Sequence, residues 1–322
     1  MPVTAPSDFG ADDYAAALAA SNADARPLSL HLRLPLRHDG DARVDHAKGM
    51  DPFEVDLARL DREMVLVRRC LAPDRRIEAL HWGGSLPPWL SLSRMSGLVD
   101  RLASRFPFES GHWRDFTVEL DPRATDLLTL RHLEALGFNR LKLVMRLPRA
   151  DRPEALTRLQ SRIEPLLDES VRMGWHSLNL VLIVPPATPE QEAAAALATL
   201  MAMTPPRLSL RPDPAWQEGE STLPATLLAR IEDRLAGNGY RSLGGGFYAR
   251  HGAALEDARA QTRREQARDR LGLGPGAISR LPDAVACNAG SAEDYAAALD
   301  EGRLATASGH WSRCRRSGAG HG

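Results

Sequence analysis

Apolar and polar positions alternate between two rhythms over the first two thirds of the chain. Short apolar runs are followed by longer stretches in which apolar residues return every three or four positions. The first pattern is that of a buried strand, the second that of an amphipathic helix. Strands are predicted at Leu28–Leu36, Ile77–Trp82, Phe116–Leu120, Leu141–Met145, Ser177–Val184 and Arg207–Leu210. Helices are predicted after them, over about Pro52–Leu71, Ser91–Arg105, Asp126–Leu136, Glu154–Met173, Pro189–Met203 and Leu223–Ala236. This alternation points to βα units around a parallel sheet, an α/β fold. Gly137, just past the third helix, fits a left-handed cap.

Beyond Gly239 the pattern loosens. The run Gly244-Gly245-Gly246-Phe247-Tyr248 invites a phosphate-loop reading, but no lysine or helix start follows it, which favours a tight turn or strand end. Arg259–Arg270 reads as a charge-dense helix with a solvated face. The Gly-, Ser- and Arg-rich tail, 308–322, is expected to be disordered.

Composition narrows the function classes. A chain of 322 residues with 43% hydrophobic and 26% charged residues is that of an ordinary globular protein. Its formal net charge of -1 gives no electrostatic footprint for nucleic acid or an acidic membrane surface. Cys70, Cys287 and Cys314 are too few and too scattered for a disulfide framework. No apolar run approaches the ~20 residues of a membrane span, and no signal peptide is legible at the N-terminus. A cytoplasmic location is expected, with neither membrane nor nucleic acid as partner.

Several ordered blocks carry a resemblance. They are Arg26–Arg37, His81-Trp82-Gly83-Gly84-Ser85-Leu86-Pro87, Val118–Arg123, Gly137-Phe138-Asn139-Arg140-Leu141, and Leu271–Gly274 with Gly276–Ser279. Together they resemble the oxygen-independent coproporphyrinogen III oxidases of the radical S-adenosylmethionine (SAM) superfamily. The resemblance runs from about Asp8 to about Gly302. It implies a partial (β/α)6 TIM-like barrel over 26–248, an N-terminal extension at 1–25 and a C-terminal extension packing on the barrel at 249–307. It also implies that the family's C-terminal helical domain is missing.

The same resemblance marks what has changed. In the family the first strand runs into C-x3-C-x2-C, whose thiolates hold a [4Fe–4S] cluster; the matching positions are Arg37, Asp41 and Val44. A guanidinium is only a donor, and valine offers no ligand atom. The family's SAM-contacting glutamine, arginine and aspartate match Arg146, Val171 and Val181, and its Y-x-H-x-P tyrosine and histidine match His31 and Arg33. Only Gly83, Gly84 and Glu119 of a vestigial SAM pocket persist. The expectation is a catalytically inactive relative without cluster or SAM, binding a partner protein or small ligand through a repurposed barrel mouth.

Three sharper readings stand beside it. The loop 38–46, with His38, Asp41, Asp45 and His46, has donors suited to zinc or manganese, and could support a metal-dependent enzyme; the plainer reading is a polar surface loop. His31 could ligate haem or bind another tetrapyrrole. A residual coproporphyrinogen-oxidase-type role in haem biosynthesis is the third. Glu119 and Asp121 also form an i, i+2 carboxylate pair with acid/base potential, while Trp82 is expected to pack rather than react.

Overall fold

The computed structural model describes residues 9–34, 52–84, 86, 90–109, 114–147, 153–185, 188–213 and 225–312. These residues fall into two compact units. One holds 84–95 and 115–264; the other holds 9–83, 96–114 and 265–312.

The second unit carries strands β1 (Leu28–Arg33) and β2 (Ile77–Gly83), with helices α1 (Ala11–Ala20) and α2 (Pro52–Arg69) and most of α3 (Leu92–Arg105). β1 and β2 run parallel, pairing His31 with His81. Leu28, Leu30 and Leu32 are fully buried on one face of β1, so the two-residue period puts Ser29, His31 and Arg33 on the other. Leu57, Leu60, Met64 and Val67 form the buried stripe of α2.

The late residues of this unit extend the sheet. β9 (Asp269–Leu273), β10 (Ile278–Arg280), β11 (Ala284–Asn288) and β12 (Thr306–Trp311) give the order β12-β11-β10-β9-β1-β2, with α9 (Ala292–Asp300) between the last two strands. β9 lies parallel to β1, and the later pairs are antiparallel. The register at the end of β9 is tight. A Cβ on Gly274 would lie 1.8 Å from the Arg33 carbonyl oxygen, and φ there is +101°, so only glycine fits.

The other unit carries β3 (Asp115–Leu120), β4 (Arg140–Arg146), β5 (Ser177–Val184), β6 (Arg207–Pro212), β7 (Tyr240–Gly244) and β8 (Phe247–Arg250), in the order β3-β4-β5-β6-β8-β7. β3 to β6 are parallel; β8 runs antiparallel to β6 and forms a hairpin with β7. Helices α4 (Leu127–Ala135), α5 (Pro153–Arg172), α6 (Glu190–Ala202), α7 (Ala225–Gly237) and most of α8 (Ala253–Ala267) complete it.

The expected α/β alternation is present, with strand and helix bounds within a few residues of those read from the pattern. The Gly244–Gly246 run is the turn of the β7–β8 hairpin. Two expectations are corrected. The charge-dense helix spans Ala253–Ala267, and Asp269 already belongs to β9. The tail expected to be disordered from 308 is strand through Trp311, because Ser308, Gly309 and His310 pair with Cys287, Ala286 and Val285. Among the described residues no helix is long and apolar enough to cross a membrane.

Candidate functional site

In a parallel α/β sheet, ligands are met at the C-terminal ends of the strands. On β1 and β2 the inward side chains there are unusually polar. His31 Nε2 lies 3.0 Å from the buried Ser29 Oγ, and His31 Nδ1 lies 3.2 Å from His81 Nδ1. The two imidazoles stand edge to face, with centroids 5.0 Å apart. Arg33 reaches the Gly276 carbonyl at 3.4 Å. Trp82, the neighbour of His81, is 1% exposed and packs in the core, as expected.

The other unit shows the same polarity on β3, β4 and β6. Glu119, at the end of β3, is buried, and its Oε2 accepts from the backbone N–H of Gly84 at 3.2 Å. Its Oε1 faces Lys142 Nζ at 3.7 Å and the Arg211 guanidinium at 3.4 Å. Further out, Arg146 at the end of β4 pairs with Asp213 at 2.8 Å. Lys142 and Arg211 had no signal in the sequence reading; lysine and arginine inside otherwise apolar strand runs are what could have flagged them.

The remaining sequence candidates are distributed as follows. Gly83 closes β2 and Gly84 follows it. Val181 is fully buried on β5. Val171 sits in the last turn of α5, which leads into the N-terminal end of β5, and is 67% exposed. Asp121 lies past the end of β3 and pairs with Arg123 rather than forming a carboxylate pair with Glu119. Arg37, His38, Asp41, Val44, Asp45 and His46 lie outside the described residues. No group of three or more metal-ligating side chains occurs among the described residues.

The Gly137–Leu141 block turns out to be architectural. Gly137, at φ +93°, ends α4. Phe138 packs edge-on against Phe116 with centroids 6.1 Å apart. Asn139 exchanges two hydrogen bonds with the Phe116 backbone, each 3.0 Å, and so begins the β3–β4 pairing. Arg140 then enters a buried ionic cluster at the N-terminal ends of the strands. Its guanidinium contacts Asp115 at 2.8 Å and both oxygens of Asp257 on α8 at 3.0 Å. Arg207 joins Asp257 and Gln261, and Arg264 joins Asp115. The three guanidiniums hold the Asp257 carboxyl below its ordinary range despite burial.

A second buried acid was missed by the sequence reading. Glu63 on α2 is 1% exposed. It accepts from the Gly274 N–H at 2.8 Å, the Asn288 amide at 2.5 Å and the Tyr295 hydroxyl at 2.6 Å. Burial pushes its carboxyl up to about 7, against the lowering effect of those donors. A carboxylate on the apolar stripe of α2 was the available signal.

The oxygen-independent coproporphyrinogen III oxidase of Pseudomonas aeruginosa is 30% identical over 275 residues, covering 77% of this chain and 60% of that protein. The enzyme of the same name from Escherichia coli is 28% identical over 333 residues, covering 91% of this chain and 70% of its own length. The solved structure of coproporphyrinogen III oxidase (HemN) from Escherichia coli, described as a radical SAM enzyme, superposes with a TM-score of 0.76 at 26% identity, covering 95% of this chain and 76% of that one. The chain is similar to HemN over most of its length. It shares the radical SAM fold of that structure, while spanning less than two thirds of the Pseudomonas relative's length. No family model matches it.

Proposed function

We propose that this HemN-like chain is a binding or accessory protein that has given up radical SAM chemistry. Its ligand would be met by the polar side chains toward the C-terminal ends of parallel strands within one unit, either β1 and β2 or β3, β4 and β6. The feature that carries this reading is the absence of cysteine at Arg37, Asp41 and Val44, the positions that the resemblance sets against the family's three cluster thiolates.

The two cysteines among the described residues do not suit a cluster. Cys70 follows the C-terminus of α2, where the chain turns toward the N-terminal end of β2, and Cys287 is on β11. Burial raises both thiols above their ordinary range, which disfavours the thiolate that iron requires. The residues around Glu119 support the same conclusion for SAM. The sulfonium and ammonium of SAM are cationic, and Lys142 and Arg211 already share the Glu119 carboxylate. Valine at position 181 offers no hydrogen bond to a ribose, and an unpaired buried ligand hydroxyl costs roughly 1–3 kcal/mol.

A haem-carrier role gains less support. Both ring nitrogens of His31 are engaged, and His81 Nδ1 stands 3.2 Å from its Nδ1, where an approaching porphyrin would have to fit.

Anaerobic reconstitution with iron and sulfide, followed by SAM and a strong reductant, tests the proposal. The expected result is no bound cluster and no 5′-deoxyadenosine. Binding of about four irons and four sulfides per chain, with SAM cleaved, would overturn it.

A further inference from the structure

His31 and His81 belong to adjacent strands, and the parallel register sets them directly side by side. Their Nδ1 atoms are 3.2 Å apart. Two imidazole nitrogens that each sit about 2.0–2.1 Å from one zinc ion in near-tetrahedral array are about 3.3 Å apart. The observed spacing therefore matches the bite of a single ion as well as that of a shared proton. The perpendicular rings, 87° between planes, keep the two imidazoles from clashing as their nitrogens converge.

Ser29 adds the support that a ligating histidine ordinarily has. Its hydroxyl is buried in the first strand and lies 3.0 Å from His31 Nε2. When Nε2–H donates to that oxygen, the Nδ1 of His31 is the lone-pair nitrogen, aimed at His81. Outer hydrogen bonds of this kind fix the tautomer and raise ligand basicity.

We propose that His31 and His81 chelate one divalent first-row metal ion, zinc being representative, through their Nδ1 atoms. Imidazole suits such ions. With two protein ligands the remaining coordination positions are left for water or for a carboxylate or amine of a bound ligand. In the neutral pair His81 carries the shared proton on Nδ1, and metal binding there moves that one proton, through solvent, to its Nε2, leaving both Nδ1 lone pairs for the ion. The two ligands are outside the 38–46 segment of the sequence, and the proposal stands whether or not the chain has kept any catalytic activity.

Zinc chloride is titrated into the chelator-treated full-length chain by calorimetry, alongside ¹⁵N-histidine NMR. One ion per chain is expected, with the Nδ1 resonances of two histidines shifting. His31→Phe and His81→Phe are each expected to abolish binding, and the double variant His38→Ala/His46→Ala to retain it. Ser29→Ala leaves both ligands in place and is expected to weaken zinc by roughly 10–100-fold. The NMR shifts and the Ser29 variant decide the matter even if a phenylalanine variant fails to fold. Absence of saturable zinc binding, loss of binding in the loop variant, or unchanged affinity in Ser29→Ala would overturn the proposal.

Discussion

Arg140 and Asp115 form a buried ion pair, Nε to Oδ1 2.8 Å, across the N-terminal ends of β4 and β3. Each side chain is about 5% exposed, and α8 adds Asp257 to the one and Arg264 to the other. A guanidinium so buried is tolerable because its donors meet the carboxylates of Asp115 and Asp257 and the amide oxygen of Gln261.

Arg140→Met is therefore expected to lower stability by about 3–5 kcal/mol, since it strands Asp115 and Asp257 without their main partner. Arg264→Met, at the half-exposed rim, is expected to cost only about 1 kcal/mol. Urea unfolding midpoints of the two variants check this. Equal losses would show that the cluster has no buried centre.

Glu63 should make stability depend on pH. Its folded carboxyl titrates at about 7 against 4.5 for the ordinary group, so the folded state binds the extra proton between those values. Its contribution is complete below about pH 4.5 and is lost as pH rises through 7. The loss is on the order of 3 kcal/mol. Glu63→Gln should flatten that slope in thermal melts between about pH 4 and about pH 8. Parallel slopes in variant and parent would refute it.

Two glycines should respond in opposite directions. Gly274→Ala forces a Cβ against the Arg33 carbonyl at 1.8 Å, so folded protein is expected to be lost or destabilised by at least ~3 kcal/mol. Gly97, within α3, has open space around its missing Cβ, and Gly97→Ala is expected to gain roughly 0.5–1 kcal/mol. Denaturation curves of the pair would show whether the β9–β1 approach is as close as the geometry states.

On the proposed reading, introducing sulfur ligands alone should not give SAM cleavage. The triple variant Arg37→Cys, Asp41→Cys, Val44→Cys recreates the C-x3-C-x2-C spacing. After reconstitution it is expected to take up iron but to release no 5′-deoxyadenosine, because Lys142 and Arg211 still occupy Glu119 and Val181 still lacks an acceptor. SAM cleavage by that variant would show that the Glu119 surroundings are no obstacle.

The βα alternation was legible because each strand of β1–β6 is an uninterrupted apolar or alternating run. α1 was not, since its alanine-rich sequence has little contrast between faces. β9 was hidden among glycines, whose strand role follows from contact with Arg33 and Ile278 rather than from any propensity of their own. At the site, His31 stood out as a changed residue. Its partner His81 is fifty positions away and is brought to it only by register. Glu63 drew no attention because its donors arrive from β9, β11 and α9, far along the chain.

β1 is gripped along both edges, by β2 on one side and β9 on the other, through backbone groups that do not depend on which side chains point inward. A strand anchored in that way can exchange every inward residue and keep its place. Ancestry is then preserved in the main chain while the chemistry above it is free to be rewritten.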